Sequence, residues 1–386
     1  MEIKPATGYR SNKITSVTSQ TTTRSPKTKT AASSNLDTYE SSVAKLLGEH
    51  LITASKDELY FHGPTPSLGE LAIYEPDEAK NDGIDWENIE NYVSHIQITI
   101  DNADDLQRSV HHMASMYIAA KTSLNHQFAD HEDILSEKTN KLEQLWTQAK
   151  NRLVNSYQNS VGRFYEQMGN PGAASQLGKE FSSAIDKRAE EIESLAKERG
   201  ILDKKDNVSY ALLSFGLEAM SLDNWIDNPD AEVSSLKELE AAGFVAKAAT
   251  KMNPHEWNLM SDNELGIHLA VQYMKIAHTL SHWGMGEEMS SLLLSSFETY
   301  MNRQLDDTSI HSPNTFTTYQ HALKQYQKTG DIEKAFIAAS NQAGISLSIR
   351  DRLNMNQFLH NLEYGNSADI LQSIIGNSAY SLSIHA

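Results

Sequence analysis

Residues 106–124 read LQRSVHHMASMYIAAKTSL, and apolar side chains recur in this stretch at alternating intervals of four and three residues. The residues that share this spacing are Leu106, Val110, Met113, Tyr117, Ala120 and Leu124. Because two turns of an α-helix take about seven residues, the spacing keeps all of them on one stripe of a helix. The stretch therefore predicts an amphipathic helix that packs its apolar stripe against another helix.

This stretch lies within the longest part of the chain that lacks glycine and proline, which runs for 78 residues from Ile84 through Val161. The same rhythm resumes downstream with Leu135, Leu142, Trp146, Ala149, Leu153, Tyr157 and Val161. Two arrangements fit: one long or slightly bent helix over residues 102–160, or an antiparallel pair with its turn near Asn125–Asp133. The absence of glycine and proline from the candidate turn favours the single helix. Such a helix would be about 90 Å long at 1.5 Å per residue.

A helix break at Pro171-Gly172 is followed by apolar residues at helical spacing from Ala173 onward. Arg199-Gly200 then supply the basic residue and the glycine that are typical of a helix C-terminus. We expect this helix to return along the preceding long one. The sequence thus predicts an elongated helical hairpin, or coiled-coil-like region, over residues 84–202.

Residues 203–386 contain shorter and more apolar helical segments, separated by proline and glycine. The predicted helices are Val208–Leu222, Ala231–Lys251, Asn263–His282, Glu287–Leu305, Thr315–Lys328, Ile332–Asn341, Leu347–Leu362 and Ser367–Ile375. Ser261 and Glu264 have the spacing of a capping box in front of one of these segments. We therefore predict a compact multi-helix bundle for residues 203–386, and an all-α fold class for the protein.

The first 83 residues differ from the rest in composition. Residues 1–35 hold 14 Ser or Thr and only a few apolar residues, without any period, which predicts a disordered tail. Residues 36–83 combine a short helix from about Asp37 to Leu51 with a Pro/Gly-rich connector. Within this connector, Leu59–Phe61 and Leu71–Tyr74 could form a short strand pair.

The formal net charge of the chain is −18, and it contains no cysteine. Phosphate affinity is built from clustered Lys and Arg, so this charge argues against general nucleic-acid binding. The absence of cysteine excludes disulfide bonds, cysteine-ligated metal sites and thiol catalysis. No apolar stretch approaches the roughly 20 residues that a membrane-spanning helix requires, and we therefore expect no transmembrane segment.

The tail carries charge of the opposite sign to the rest of the chain. Six basic residues against Glu2 alone give residues 1–35 a net charge of +5, which leaves −23 for the remainder. This basic, Ser/Thr-rich composition resembles the unstructured leaders of bacterial proteins exported by flagellar-type or type III machinery. The resemblance implies secretion without a cleavable Sec signal peptide, whose apolar stretch of about 7–15 residues is missing near the start. The alternative is an inert tail on a cytoplasmic protein.

Sequence motifs of common enzymes, such as H-E-x-x-H, G-x-S-x-G and the P-loop, are absent. The candidate metal site is formed by His278 and His282, which lie four residues apart on one helical face, with Glu287 just beyond. A second element would have to supply a further ligand. The plainer interpretation is a polar helix face with hydrogen-bonded histidines, which also carries Glu264 and His268.

These observations favour a non-enzymatic helical protein-interaction protein that binds other proteins, or itself, through its amphipathic helices. One alternative is a cytosolic helical adaptor or regulator. The other is a metal-dependent enzyme that uses the histidine pair of the C-terminal bundle. We expect no cofactor and no nucleic-acid partner.

Overall fold

The computed structural model describes residues 84–203, 235–252, 254–307 and 313–375, and all regular structure within these residues is helical. The predicted all-α fold is therefore confirmed for this part of the chain. The predicted tail of residues 1–35, the connector of residues 36–83 and the predicted helix Val208–Leu222 lie outside the described residues.

Residues 84–203 form a helical hairpin with flanking helices. Its α-helices are α1 (Trp86–His95), α2 (Leu106–Gln127), α3 (Glu132–Tyr157), α4 (Arg163–Gln167) and α5 (Ala173–Glu198). A short 3₁₀-helix, Ile100–Asn102, precedes α2, and a π-helical turn, Gln158–Gly162, joins α3 to α4. The predicted glycine at the end of α5 is confirmed, because Gly200 adopts a left-handed φ of 67°.

The C-terminal part forms the predicted multi-helix bundle, with helix bounds close to those expected. Its α-helices are α6 (Ser235–Lys251), α7 (Asp262–His282), α8 (Glu287–Asp307), α9 (Pro313–Thr329), α10 (Ile332–Gln342), α11 (Ile349–Tyr364) and α12 (Ser367–Ile375). A 3₁₀-helix, Pro254–Leu259, precedes α7. The predicted capping box at Ser261 and Glu264 is present. Ser348 and Asp351 form a second one, at the start of α11.

The expectation of one continuous helix over residues 102–160 is wrong, because α2 and α3 are separate helices. The Phe128 N–H donates to the Leu124 carbonyl and closes α2, and the His131 N–H donates to the Phe128 carbonyl at 2.9 Å and forms the turn. Phe128 packs against the core, and the acidic residues Glu132 and Asp133 occupy the first turn of α3, where a helix N-terminus favours negative charge. Core packing and helix-end electrostatics thus stabilise a turn that needs neither glycine nor proline.

Helix α2 is buried on two sides. Its heptad stripe enters the main apolar core, in which the side chains of Leu106, Val110 and Leu124 are fully buried. On another side, Ala114 and Ile118 pack with residues of α5 and the segment after it in a second, smaller apolar cluster. The stripe that the sequence offers for coiled-coil packing is therefore occupied within the chain.

Helix α6 is buried along nearly its whole length and contacts α2, α5, α8 and α12. The Tyr157 hydroxyl donates to the Leu239 carbonyl at 2.9 Å, and the Tyr165 hydroxyl donates to the Ala242 carbonyl at 2.8 Å. In a regular α-helix, two residues eight positions apart point about 80° away from each other. The π-helical turn between the two tyrosines contains about one residue more than an α-helical turn, and this brings the two side chains back to the same side of the helix. Both hydroxyls can therefore reach α6. One continuous core thus includes side chains from both sides of residue 203.

Within the described residues, no helix has both the length and the apolar character that crossing a membrane requires.

Gly243 of α6 allows the closest approach in this core. A Cβ atom at this position would lie 2.1 Å from the Ala103 carbonyl oxygen, which belongs to rigid backbone. We therefore expect Gly243→Ala to lower the free energy of unfolding by about 2 kcal/mol or more, measured by urea denaturation. Gly286→Ser is the matched control, since a Cβ there would meet nothing within 4 Å. Equal stability of the two variants would contradict this packing.

Candidate functional site

The predicted histidine pair lies in the last two turns of α7. His278 Nδ1 lies 3.4 Å from the Tyr326 hydroxyl of α9, and burial lowers the pKa of His278. Burial also lowers the pKa of His282, against the opposing effects of the Glu363 carboxylate and the Leu362 backbone. Both rings therefore favour the neutral form at neutral pH. Glu287, the third candidate, is exposed at the start of α8.

The described residues contain no group of three or more His, Asp or Glu side chains that could hold a metal ion. The structure thus places His278 and His282 together on one helix but does not gather them with Glu287 into such a group. A metal-binding role for these three residues stays a prediction.

The predicted polar face of α7 is not exposed to solvent at His268. This side chain is buried, and burial together with the nearby Lys275 lowers its pKa to about 4. Helix α7 packs against α8, α9, α10, α11 and α12, which together cover most of its circumference. Periodicity within one helix could not show this burial, because it depends on which other helices surround α7.

Lys275 of α7 is a buried cation that the sequence analysis did not single out. Its Nζ donates to the Ser373 carbonyl at 2.7 Å, in the last turn of α12, and lies 5.3 Å from the centre of the Phe358 ring. The exposed carbonyls at a helix C-terminus favour a cation, so this contact caps α12. Burial lowers the pKa of Lys275 to about 7. The residue joins α7, α11 and α12, and we assign it a structural role.

A second buried polar cluster connects the start of α2 to α6. Gln107 Nε2 donates to Glu240 Oε2 at 2.7 Å, and Lys247 Nζ donates to Asp104 Oδ1 at 2.7 Å. Burial raises the pKa of Glu240 well above its usual range, while the hydrogen bond from Gln107 opposes that effect. These contacts give the buried polar groups hydrogen-bond partners on a neighbouring segment, as buried polar groups require. The cluster therefore fixes α6 on α2.

The outer surface of α11 differs from those of the other described helices. Three of the seven large apolar side chains that are exposed in the described residues lie on it: Ile349 is 80%, Leu353 61% and Tyr364 70% exposed. The other four stand singly on different elements, which is ordinary for a protein surface. His360, which contacts the Tyr364 ring with 5.2 Å between ring centres, is also exposed.

The exposed apolar and aromatic residues of α11 form one narrow stripe. At about 100° per residue, Ile349, Leu353, His360 and Tyr364 fall within an arc of about 60°. We call these four residues the α11 stripe. The core-facing residues Met355, Phe358 and Leu362 are all buried and fall within a similar arc on the opposite side. Helix α11 is therefore apolar on two opposite faces, and the other residues that the structure describes pack against only one of them.

The stripe has charged and polar residues along its edges. On the helical projection, Arg352 and Glu363 lie on one flank, and Arg350 and Gln357 lie on the other. All four side chains are exposed. The Tyr364 hydroxyl donates to Glu363 Oε1 at 3.0 Å. An apolar centre with a polar rim is the typical composition of a protein–protein contact surface.

Searches of protein-family models, of curated proteins and of solved structures found no match to this chain.

Lys275 gives a pH dependence of stability that can be measured. Between pH 7 and about 10, the unfolded chain keeps a proton on Lys275 that the folded protein tends to release, so stability rises with pH. We expect the free energy of unfolding of the unmodified protein to rise from pH 7 to pH 9, relative to a Lys275→Met variant, by at most about 1.4 kcal/mol per pH unit. Urea denaturation at several pH values measures both slopes.

The exposed Lys324 of α9 supplies the control for this experiment. Lys324→Met should leave the pH dependence as it is in the unmodified protein. Parallel curves for the unmodified protein and for Lys275→Met would show that Lys275 keeps its proton in the folded state.

Proposed function

We propose that this protein is a non-enzymatic, helical protein-interaction protein whose contact surface is the α11 stripe. The observation that carries the proposal is the exposure of Ile349, Leu353 and Tyr364 on one side of a helix whose opposite side is already in the core. Burial of apolar surface contributes about 25 cal/mol per Å², so a partner that covered these side chains would gain stability from the contact.

The geometry of the stripe suits a helical or groove-shaped partner. Helices that dock into apolar grooves present anchors at i, i+4, i+7 and further positions of the same face. Ile349, Leu353, His360 and Tyr364 follow this spacing at i, i+4, i+11 and i+15. The heptad stripe of α2, the surface that the sequence first suggested, is already buried against other helices of the same chain. The α11 stripe therefore replaces it in this proposal.

The alternative enzymatic function has less support. It depends on the histidine pair of α7, and the described residues supply no third ligand that would complete a metal site there. Both histidines are instead partly covered by the packing around α7. The interaction proposal needs no group beyond those that the structure places at the surface.

The stripe can be tested with a single photoreactive group, because the chain contains no cysteine of its own. Leu353→Cys and Leu259→Cys, each labelled with a benzophenone maleimide, place the same probe on two exposed leucines of different elements; Leu259 is 82% exposed. After irradiation in extract from the native cells, we expect a discrete crosslinked product from position 353 and none from position 259. An excess of unlabelled, unmodified protein should compete away a product with a different protein and should increase a product between two copies of this chain.

Two results would contradict the proposal. One is the same set of crosslinked products from both positions, which would show nonspecific contact with exposed leucines. The other is no discrete product from position 353, either in extract or with the labelled protein alone at several hundred micromolar. Circular dichroism of both labelled variants should match that of the unmodified protein, because both side chains lie at the surface.

The export route is a further part of this proposal, supported by the composition of residues 1–35. In a bacterium that carries flagellar-type or type III machinery, we expect deletion of residues 1–35 to leave a folded protein that stays in the cell. Immunoblots of the cell and supernatant fractions measure this. Continued appearance of the truncated protein in the supernatant would reject a leader function, and would leave the α11 proposal unaffected.

A further inference from the structure

We infer that the partner of the α11 stripe is a second copy of this chain, whose own α11 packs on the first in the antiparallel direction. The inference rests on the proposed function, in which the stripe is a contact surface. It goes further by naming the occupant and its orientation.

The stripe complements itself when two copies run antiparallel. If a two-fold axis passes between Asn356 and Gln357, Ile349 of one copy comes level with Tyr364 of the other. The same axis brings Leu353 level with His360 of the second copy. Each aliphatic side chain then packs on an aromatic ring, and symmetry repeats both contacts. An interface of this kind, in which one surface is used twice, is typical of two-fold dimers.

The charges on the flanks complement each other in the same arrangement. In an antiparallel two-fold pair, each flank of the stripe faces the same flank of the second copy. Arg352 of one copy then lies beside Glu363 of the other, with an offset of about 3 Å along the helix axis. Two such ion pairs form, one on each side of the axis. Exposed ion pairs contribute little to stability, so their main effect here is to set the orientation.

A parallel pair of α11 helices would bring like charges together. In that arrangement each flank faces the opposite flank of the second copy. Arg352 would then lie beside Arg350 of the other copy, again within about 3 Å along the axis, and this repulsion would occur twice. The electrostatic comparison therefore favours the antiparallel pair.

The size of the stripe predicts a weak dimer. Stable protein–protein interfaces bury roughly 1,200–2,000 Å² in total, and one helical stripe of four side chains offers less. We therefore expect a dissociation constant in the range of about 10–500 μM and a monomer in dilute solution. Experiments must reach protein concentrations of several hundred micromolar.

Sedimentation velocity over a concentration series tests whether the second copy binds. We expect the average mass of the unmodified protein to rise towards that of a dimer, with association at least tenfold weaker for Leu353→Glu. Leu259→Glu is the matched control, with the same change at an exposed leucine on another element, and it should associate like the unmodified protein. Equal association of the three proteins, or no association of any, overturns the inference.

Disulfide formation tests the orientation, again with the help of the cysteine-free background. Residue 356 lies next to its own copy across the proposed axis, whereas the two copies of residue 364 lie about 20 Å apart. At a dimer-forming concentration, Asn356→Cys should oxidise to a covalent dimer and Tyr364→Cys should not. Covalent dimers from both variants would indicate a parallel pair and overturn the antiparallel arrangement.

Charge exchange provides an independent check of the flank contacts. Arg352→Glu and Glu363→Arg should each weaken association several-fold, because each places two like-charged pairs in the dimer. The double variant should recover most of the lost affinity. Additive losses in the double variant would contradict the pairing of Arg352 with Glu363.

Failure of this inference can be distinguished from failure of the proposed function. A protein that stays monomeric in sedimentation but gives a discrete crosslink from position 353 to a different protein keeps the contact surface and rejects the second copy. A protein that neither associates nor crosslinks at position 353 rejects both.

Discussion

The contact between the backbone of α6 at Gly243 and the Ala103 carbonyl sets how closely the two parts of the molecule approach. Because no Cβ intervenes, α6 packs directly on the segment that precedes α2. At this spacing, the hydroxyls of Tyr157 and Tyr165 reach backbone carbonyls of α6. Gln107 reaches Glu240 across the same interface. The helical hairpin and the bundle are therefore joined by a set of contacts that depends on one residue without a side chain.

The consequence for function is that the most evident amphipathic surface of the sequence is not free. Helix α2 contributes its heptad stripe to the main core and another side to a cluster with α5. Three buried ionisable groups with shifted pKa values, Glu240, Lys275 and His268, are likewise involved in packing between helices. Among the described residues, the exposed apolar surface that we propose for recognition is the outer side of α11, which carries no catalytic or metal-binding motif.

Sequence patterns predicted the features of this fold that are determined locally. The helix bounds in the C-terminal part and the Ser261–Glu264 capping box follow from propensity and end signals within a few residues. The turn at Phe128 lies within the alternative that the sequence left open, near Asn125–Asp133. Local patterns nevertheless favoured a single helix, because the turn is stabilised by side-chain packing on distant residues. The burial of His268 was missed for the same reason. The α11 stripe was not predicted, because Met355, Phe358 and Leu362 already account for the one apolar face that an amphipathic helix needs. The residues of the second face have the same helical spacing in the sequence.

A helix with apolar residues on two opposite sides can in principle be inserted into a core in either of two rotational states. For α11 these states differ by half a turn about the helix axis, and hydrophobicity alone discriminates poorly between them. Polar contacts remove the ambiguity. The Asn361 side-chain amide donates to the Asp369 carbonyl at 3.0 Å and to the Ser373 hydroxyl at 2.6 Å, and both acceptors belong to α12. Rotation of α11 by half a turn would break both hydrogen bonds, so a single asparagine specifies which face of the helix remains outside.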